Sequence, residues 1–214
     1  MNLKTIEAKT LPEAWFLCVK ECMNNGYEYT ISSGSFSGQK RKEFDFVTIR
    51  VEFPNSRPLV PDTPIGVPPP TTMDYIEEYL PYLITGVKGE GELYTYGEDI
   101  EHQLPKLLDI YRRGGFETNQ ACMSVGSRYS IGLEHSQCLR VIDTRIRYGK
   151  LHFFVYFRSW DLWGGFPANL AAIQLLKEYL ATELGVEDGE LVACSKGLHL
   201  YDHCWELANL VLRR

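Results

Sequence analysis

Two strand-length runs, Leu139 to Tyr148 and Leu151 to Phe157, meet at Gly149. A glycine at a tight reversal admits the backbone angles that a short antiparallel link needs. The second run is almost wholly apolar or aromatic, the composition expected of a strand covered on both faces. It stops at Arg158-Ser159-Trp160-Asp161, and a loop from Gly164 to Pro167 follows. From Asn169 to Leu184, Leu170, Ile173, Leu176, Tyr179 and Leu180 recur at helical spacing, and Gly185 supplies the stop. A hairpin leading into a long apolar-faced helix requires a sheet with that helix packed on it.

The rest of the chain fits around this unit. Leu11 to Asn25 reads as a helix with Trp15, Cys18, Val19 and Cys22 on one face, Pro12 in its first turn and Gly26 as its stop. Phe44 to Phe53 alternates as a strand, and the proline-rich stretch from Pro54 to Pro70 must cross the surface in extended form. Thr72 to Leu83 is a second helix, with Pro81 expected to kink or end it. Asp99 to Arg113 is a third, with Leu104, Leu107, Leu108 and Tyr111 inward. Thr118 to Val125 and Glu190 to Cys194 read as strands, and Asp202 to Leu210 as a last helix whose approach carries His199 and Tyr201. The expectation is an α+β fold, a mixed and largely antiparallel sheet with packed helices, forming a single domain over residues 1–214.

A formal net charge of −6 argues against a general DNA-binding surface, which must be basic. No apolar run reaches the length of a membrane span, and the first residues lack a signal-peptide pattern, so the expected compartment is the cytoplasm. The six cysteines are irregularly spaced, which favours free thiols. Cys18 and Cys22 read as small core residues rather than metal ligands. No metal is expected.

Several groups carry chemistry. Cys138 precedes a strand, with Arg140 two residues on and Arg158 expected alongside; a guanidinium favours the thiolate. The local alternative is an inert buried thiol. Arg158 and Ser159 pair a forked cation with a hydroxyl, suited to an anionic oxygen, or else Arg158 forms a salt bridge to Asp161 or Glu134. Asn169 reads first as a helix N-cap, although a carboxamide also matches the carbonyl and imide of a pyrimidine. His199 and Tyr201 share one side of an extended segment and could hold a sugar hydroxyl. The loop from Ser32 to Gly38, followed by Lys40-Arg41-Lys42, is either a phosphate cradle or a plain solvated loop.

Together these groups resemble the thymidylate synthase and pyrimidine nucleotide hydroxymethylase family. The family pattern is a nucleophilic Cys, a strand pair, R-S-x-D-x-x-x-G-x-P-x-N, a long helix and a later H-x-Y segment. The nucleophile position is Cys138. The middle motif is Arg158-Ser159-Trp160-Asp161, continuing through Gly165 and Pro167 to Asn169. The late segment is Leu198-His199-Leu200-Tyr201-Asp202-His203. A weaker likeness covers Tyr94-Thr95-Tyr96-Gly97 and Arg57-Pro58-Leu59-Val60.

The resemblance implies a thymidylate synthase-like fold and a set of roles. Cys138 would add to C6 of deoxyuridine monophosphate, activating C5 toward a one-carbon unit. Arg158 and Ser159 would bind the 5′-phosphate, with Arg158 also depressing the Cys138 pKa. Asn169 would read uracil, and His199 and Tyr201 would hold the 3′-hydroxyl. Asp161 would contact the reduced pterin, and Glu78 (or its neighbour Glu77) with Tyr96 would organise proton transfer through water. The implied co-substrate is methylene-tetrahydrofolate or methylene-tetrahydromethanopterin, and the implied assembly is a homodimer.

Departures from the pattern are Leu139 where the family has His, Gln137 where it has Pro, and no arginine pair near Thr118-Asn119, for which Arg128 and the Arg41 patch are candidate replacements. The sequence runs about ten residues past His203, like the short archaeal forms. The implied reaction is methylation of deoxyuridylate to thymidylate. The alternatives are 5-hydroxymethylation of a pyrimidine nucleotide and a non-catalytic homologue that binds nucleotides or RNA.

Overall fold

The computed structural model describes residues 1–34 and 36–213. The strands are β1 (Leu3–Ala8), β2 (Tyr27–Thr30), β3 (Lys40–Glu43), β4 (Phe46–Val51), β5 (Cys122–Ser124), β6 (Leu139–Arg147), β7 (Lys150–Phe157), β8 (Trp160–Asp161), β9 (Glu187–Ser195) and β10 (Leu198–Tyr201). The helices are α1 (Leu11–Asn25), α2 (Met73–Ile84), α3 (Gly97–Gly114), α4 (Gly165–Leu184) and α5 (Trp205–Val211). One sheet has the order β1-β4-β9-β7-β6-β5, the other β2-β3-β10-β8. Parallel pairs occur at β1/β4, β7/β9 and β8/β10, and the remaining pairs are antiparallel. This is the expected α+β fold with mixed sheets.

The hairpin forms as the sequence requires. Tyr148 and Gly149 both take positive φ, 55° and 72°, the reversal that joins β6 to β7. A bulge between Leu139 and Val141 interrupts the pairing one residue past Cys138. Bulges bend a strand and re-aim its side chains, and this one lies beside the thiol.

α4 crosses the covered face of the large sheet. Phe166, Leu170, Ile173, Leu176 and Leu180 on it are buried, as are Leu151, Phe153, Val155 and Phe157 of β7. The expectation that β7 is covered on both faces is corrected: burial alternates along it, and Phe154 is 39% exposed. Apolar composition does not report which face of a strand this chain covers. Tyr179, expected inward, is 54% exposed, because its position lies at the edge of the helix's apolar stripe. Leu104 is likewise only partly buried.

Other boundaries also move. α2 continues past Pro81 to Ile84, and the Pro81 carbonyl accepts from the backbone N–H and the hydroxyl of Thr85. A proline forfeits one bond to the preceding turn, while burial of Ile76 and Leu83 on either side holds the helix together. The strand expected over residues 118–125 shrinks to β5, and that over 44–53 to β4. The last helix opens with a short 3₁₀ turn, Asp202–Cys204. Cys18 and Cys22 are fully buried, as their reading as core residues requires.

Candidate active site

Cys138 is half-buried directly before β6. The Arg158 backbone N–H donates to the Cys138 carbonyl at 2.9 Å. The Arg158 guanidinium donates to the Gln137 carbonyl at 3.1 Å and the Ser136 carbonyl at 2.6 Å. Neither salt bridge considered for Arg158 forms; it clamps the turn that delivers the thiol. The rest of its fork keeps donors for an anion.

Burial pushes the Cys138 thiol above its ordinary value, while Arg158 and a hydrogen bond from Tyr94 pull it down. The expected depression is therefore corrected. Arg158 acts in the expected direction, but removal of the thiolate from water outweighs it.

The Tyr96 hydroxyl accepts from the Leu139 N–H at 3.4 Å, and Tyr96 is buried. Tyr94 packs beside Tyr82 and Tyr96, with ring centroids 6.1 and 5.9 Å apart. Tyr75, Tyr79 and Tyr82 repeat along α2, with ring centroids 6.2 and 5.4 Å apart, and Tyr82 meets Tyr96 edge-on at 5.1 Å. A cleft of about 430 Å³ opens against this wall, lined by Tyr75, Glu78, Tyr79, Tyr82, Tyr96 and Asn169 among others. Glu78 is exposed on it.

Asn169 is not an N-cap. α4 begins at Gly165, so Asn169 already lies inside the helix. The capping is done by Asp161, whose carboxylate accepts from the N–H groups of Trp163 at 3.2 Å, Gly164 at 2.9 Å and Gly165 at 2.8 Å. A carboxylate there satisfies donors that the helix leaves unpaired and complements its dipole. Asn169 is free to face the cleft. Its Oδ1 accepts from the Trp160 indole N–H at 2.8 Å, and its Nδ2 donates to the Tyr79 hydroxyl at 2.7 Å.

His199 and Tyr201 stand on β10, their rings 4.8 Å apart and edge-on. β10 runs parallel to β8, with His199 opposite Asp161, and antiparallel to β3, with Tyr201 opposite Arg41. His199 is 3% exposed. Its Nδ1 lies 2.8 Å from the Gly197 carbonyl, which only accepts, so Nδ1 carries the proton. Nε2 is then a buried acceptor with no partner among the described residues. Burial lowers the imidazole pKa to about 4, which keeps the ring neutral.

Ser159 is half-buried in the link between β7 and β8. The basic patch is strand rather than loop: Arg41 pairs with Glu43 at 2.8 Å, and Lys40 with Glu28 at 3.3 Å. The neighbouring Ser/Gly stretch includes Ser35, which lies outside the described residues. Arg57 spends its fork on Glu178, with both contacts at 2.7 Å. Arg128 is exposed over the Tyr129 ring. Sequence reasoning missed Tyr79, Tyr82, Tyr94 and Trp160. The spacing of the α2 tyrosines could have marked the aromatic wall.

Residues 131–214 match a family model described as thymidylate synthase. A Methanosarcina acetivorans protein provisionally named a thymidylate synthase is 26% identical, covering 98% of this chain and 95% of that one. A similarly named Methanothermobacter thermautotrophicus protein is 23% identical over 98% of both chains. A deoxyuridylate hydroxymethyltransferase of Bacillus phage SP01 is 43% identical over 48% of this chain and 28% of its own. The solved thermostable thymidylate synthase A of Bacillus subtilis shares the fold, with a TM-score of 0.73, 16% identity and coverage of 96% of this chain and 85% of that one. The C-terminal segment thus matches the thymidylate synthase family model, relatives bearing that provisional name span nearly the whole chain, and the fold is that of a solved thymidylate synthase.

Proposed function

We propose that the protein converts deoxyuridine monophosphate to thymidylate, through a covalent adduct on Cys138. The observation that carries this reading is Arg158 clamping the turn that holds Cys138, the Tyr96 hydroxyl on the next residue, and Asn169 lining the same cleft as Tyr96. Each matches a different part of a pyrimidine nucleotide. The Cys138 thiolate adds to C6, forming an S–C bond as the C5=C6 π electrons shift toward C5 and the C4 oxygen. Arg158 and Ser159 take the phosphate. Asn169 reads the uracil edge, while the His199 Nε2 accepts from the 3′-hydroxyl with Tyr201 beside it.

The tyrosine wall offers a flat apolar surface for a reduced pterin, and Asp161 adds a carboxylate near the same helix end. The methylene-tetrahydropterin, a folate or a methanopterin, supplies the one-carbon unit and the hydride. Glu78 and Tyr96 manage the departing C5 proton through water; its loss expels the pterin nitrogen and leaves a methylene on C5, and hydride addition to that methylene re-forms C5=C6 and breaks the S–C6 bond to release the thiolate. The open face of the large sheet, with Phe154 exposed, supports a homodimer. We assign the protein to the cytoplasm and treat residues 1–214 as one domain. No helix among the described residues is long and apolar enough to cross a membrane.

The likeness to the phage hydroxymethyltransferase favours a second reading, in which water rather than hydride completes the reaction and a hydroxymethyl group is left on C5. Tritium release from C5-labelled deoxyuridylate tests both readings. Release that needs a methylene-pterin and disappears in Cys138→Ala supports them. No release from the wild type, or equal release from Cys138→Ala, rejects them. Product mass separates a methyl from a hydroxymethyl group.

A further inference from the structure

We propose that Trp160 sets the pyrimidine specificity of the cleft by fixing the sense of the Asn169 carboxamide. The inference rests on Asn169 reading the base. Trp160 is 3% exposed and stacks on Phe157 with ring centroids 4.0 Å apart and planes within 7°. Phe166 packs against it at 4.7 Å, and the Trp160 backbone N–H donates to the Gly197 carbonyl at 3.2 Å. The indole is therefore held in place.

An amide side chain is nearly symmetric in shape, and only its partners decide which end is oxygen. An indole N–H only donates, so Oδ1 must face Trp160. At the other end, the Tyr79 hydroxyl can accept or donate and would tolerate either orientation. Trp160 alone imposes the direction. With the amide fixed, Oδ1 can still accept from the N3–H of uracil while Nδ2 donates to its O4. Cytosine presents the reverse, an acceptor at N3 and a donor at its exocyclic amine, and would need the amide flipped. The flip would set two donors against each other beside a buried ring.

Calorimetric binding of deoxyuridylate and deoxycytidylate tests this. The proteins compared are the wild type, Trp160→Phe, Tyr79→Phe and a chain carrying 3-benzothienylalanine at position 160. The last replaces the indole N–H with sulfur and keeps the ring shape, so loss of folding cannot mask the answer. The preference for deoxyuridylate should fall about tenfold in both position-160 variants, the worth of one hydrogen bond. It should persist in Tyr79→Phe. An unchanged preference in the benzothienyl protein overturns the role of Trp160 while leaving the proposed function intact. If the wild type binds neither nucleotide, the proposed function falls and this inference falls with it.

Discussion

Acidification from about pH 7 to about pH 4.5 should destabilise the protein through His199. The folded imidazole has a pKa of about 4, against an ordinary 6.5, because burial disfavours its charged form and Arg41 adds repulsion, while the Gly197 carbonyl and Asp161 partly oppose this. The unfolded chain therefore binds a proton more readily than the folded one. Stability is fully present above 6.5 and is lost as the pH falls toward 4. Near pH 4.5 the unfolded imidazole is almost wholly charged while the folded one is mostly neutral, so the loss is about 2.5 kcal/mol. Glu21, Glu98, Glu178 and Glu190, whose pKa values are lowered by their partners, also lose stability in acid. His199→Gln separates the contributions, since the carboxylates are common to both proteins. Urea midpoints at the two pH values should show the wild type losing about 1 M more than the variant. Parallel losses would refute the argument that His199 is held neutral by its burial.

Three further outcomes follow from the geometry. Tyr94→Phe removes a donor to the Cys138 thiol, so the pH at which iodoacetamide modifies Cys138, read by peptide mass spectrometry, should rise; an unchanged profile would remove Tyr94 from the thiol's environment. Asp161→Asn leaves one end of the side chain a donor facing backbone N–H groups at the start of α4, which should cost about 1–2 kcal/mol in urea unfolding. Gly97→Ala would drive a Cβ into the Thr85 backbone where α2 and α3 meet, and should cost about 3 kcal/mol or more, measured the same way.

The hairpin, α1 and the long helix are legible in the sequence because their signals are local. Periodicity and turn residues act on the segment that carries them, and Gly149 and Gly185 take the backbone conformations their positions require. Contacts between distant segments are less legible. Asn169 has the look of an N-cap because it precedes an apolar helical run, but the carboxylate that caps α4 belongs to Asp161, and Asn169 thereby becomes available to the cleft. The apolar run of β7 gives no sign that one of its faces stays open.

The same distinction explains why the net shift of the thiol runs opposite to the sequence expectation. A nearby arginine is visible in the sequence, whereas the degree of burial is a property of the packed fold. Cys138 is raised by that packing and lowered by Arg158 and Tyr94. A ligand phosphate drawing on the free donors of Arg158 would weaken that cation's pull on the thiol. The Tyr94 substitution is accordingly the sharpest test of whether the aromatic wall lowers the Cys138 pKa or merely shapes the cleft.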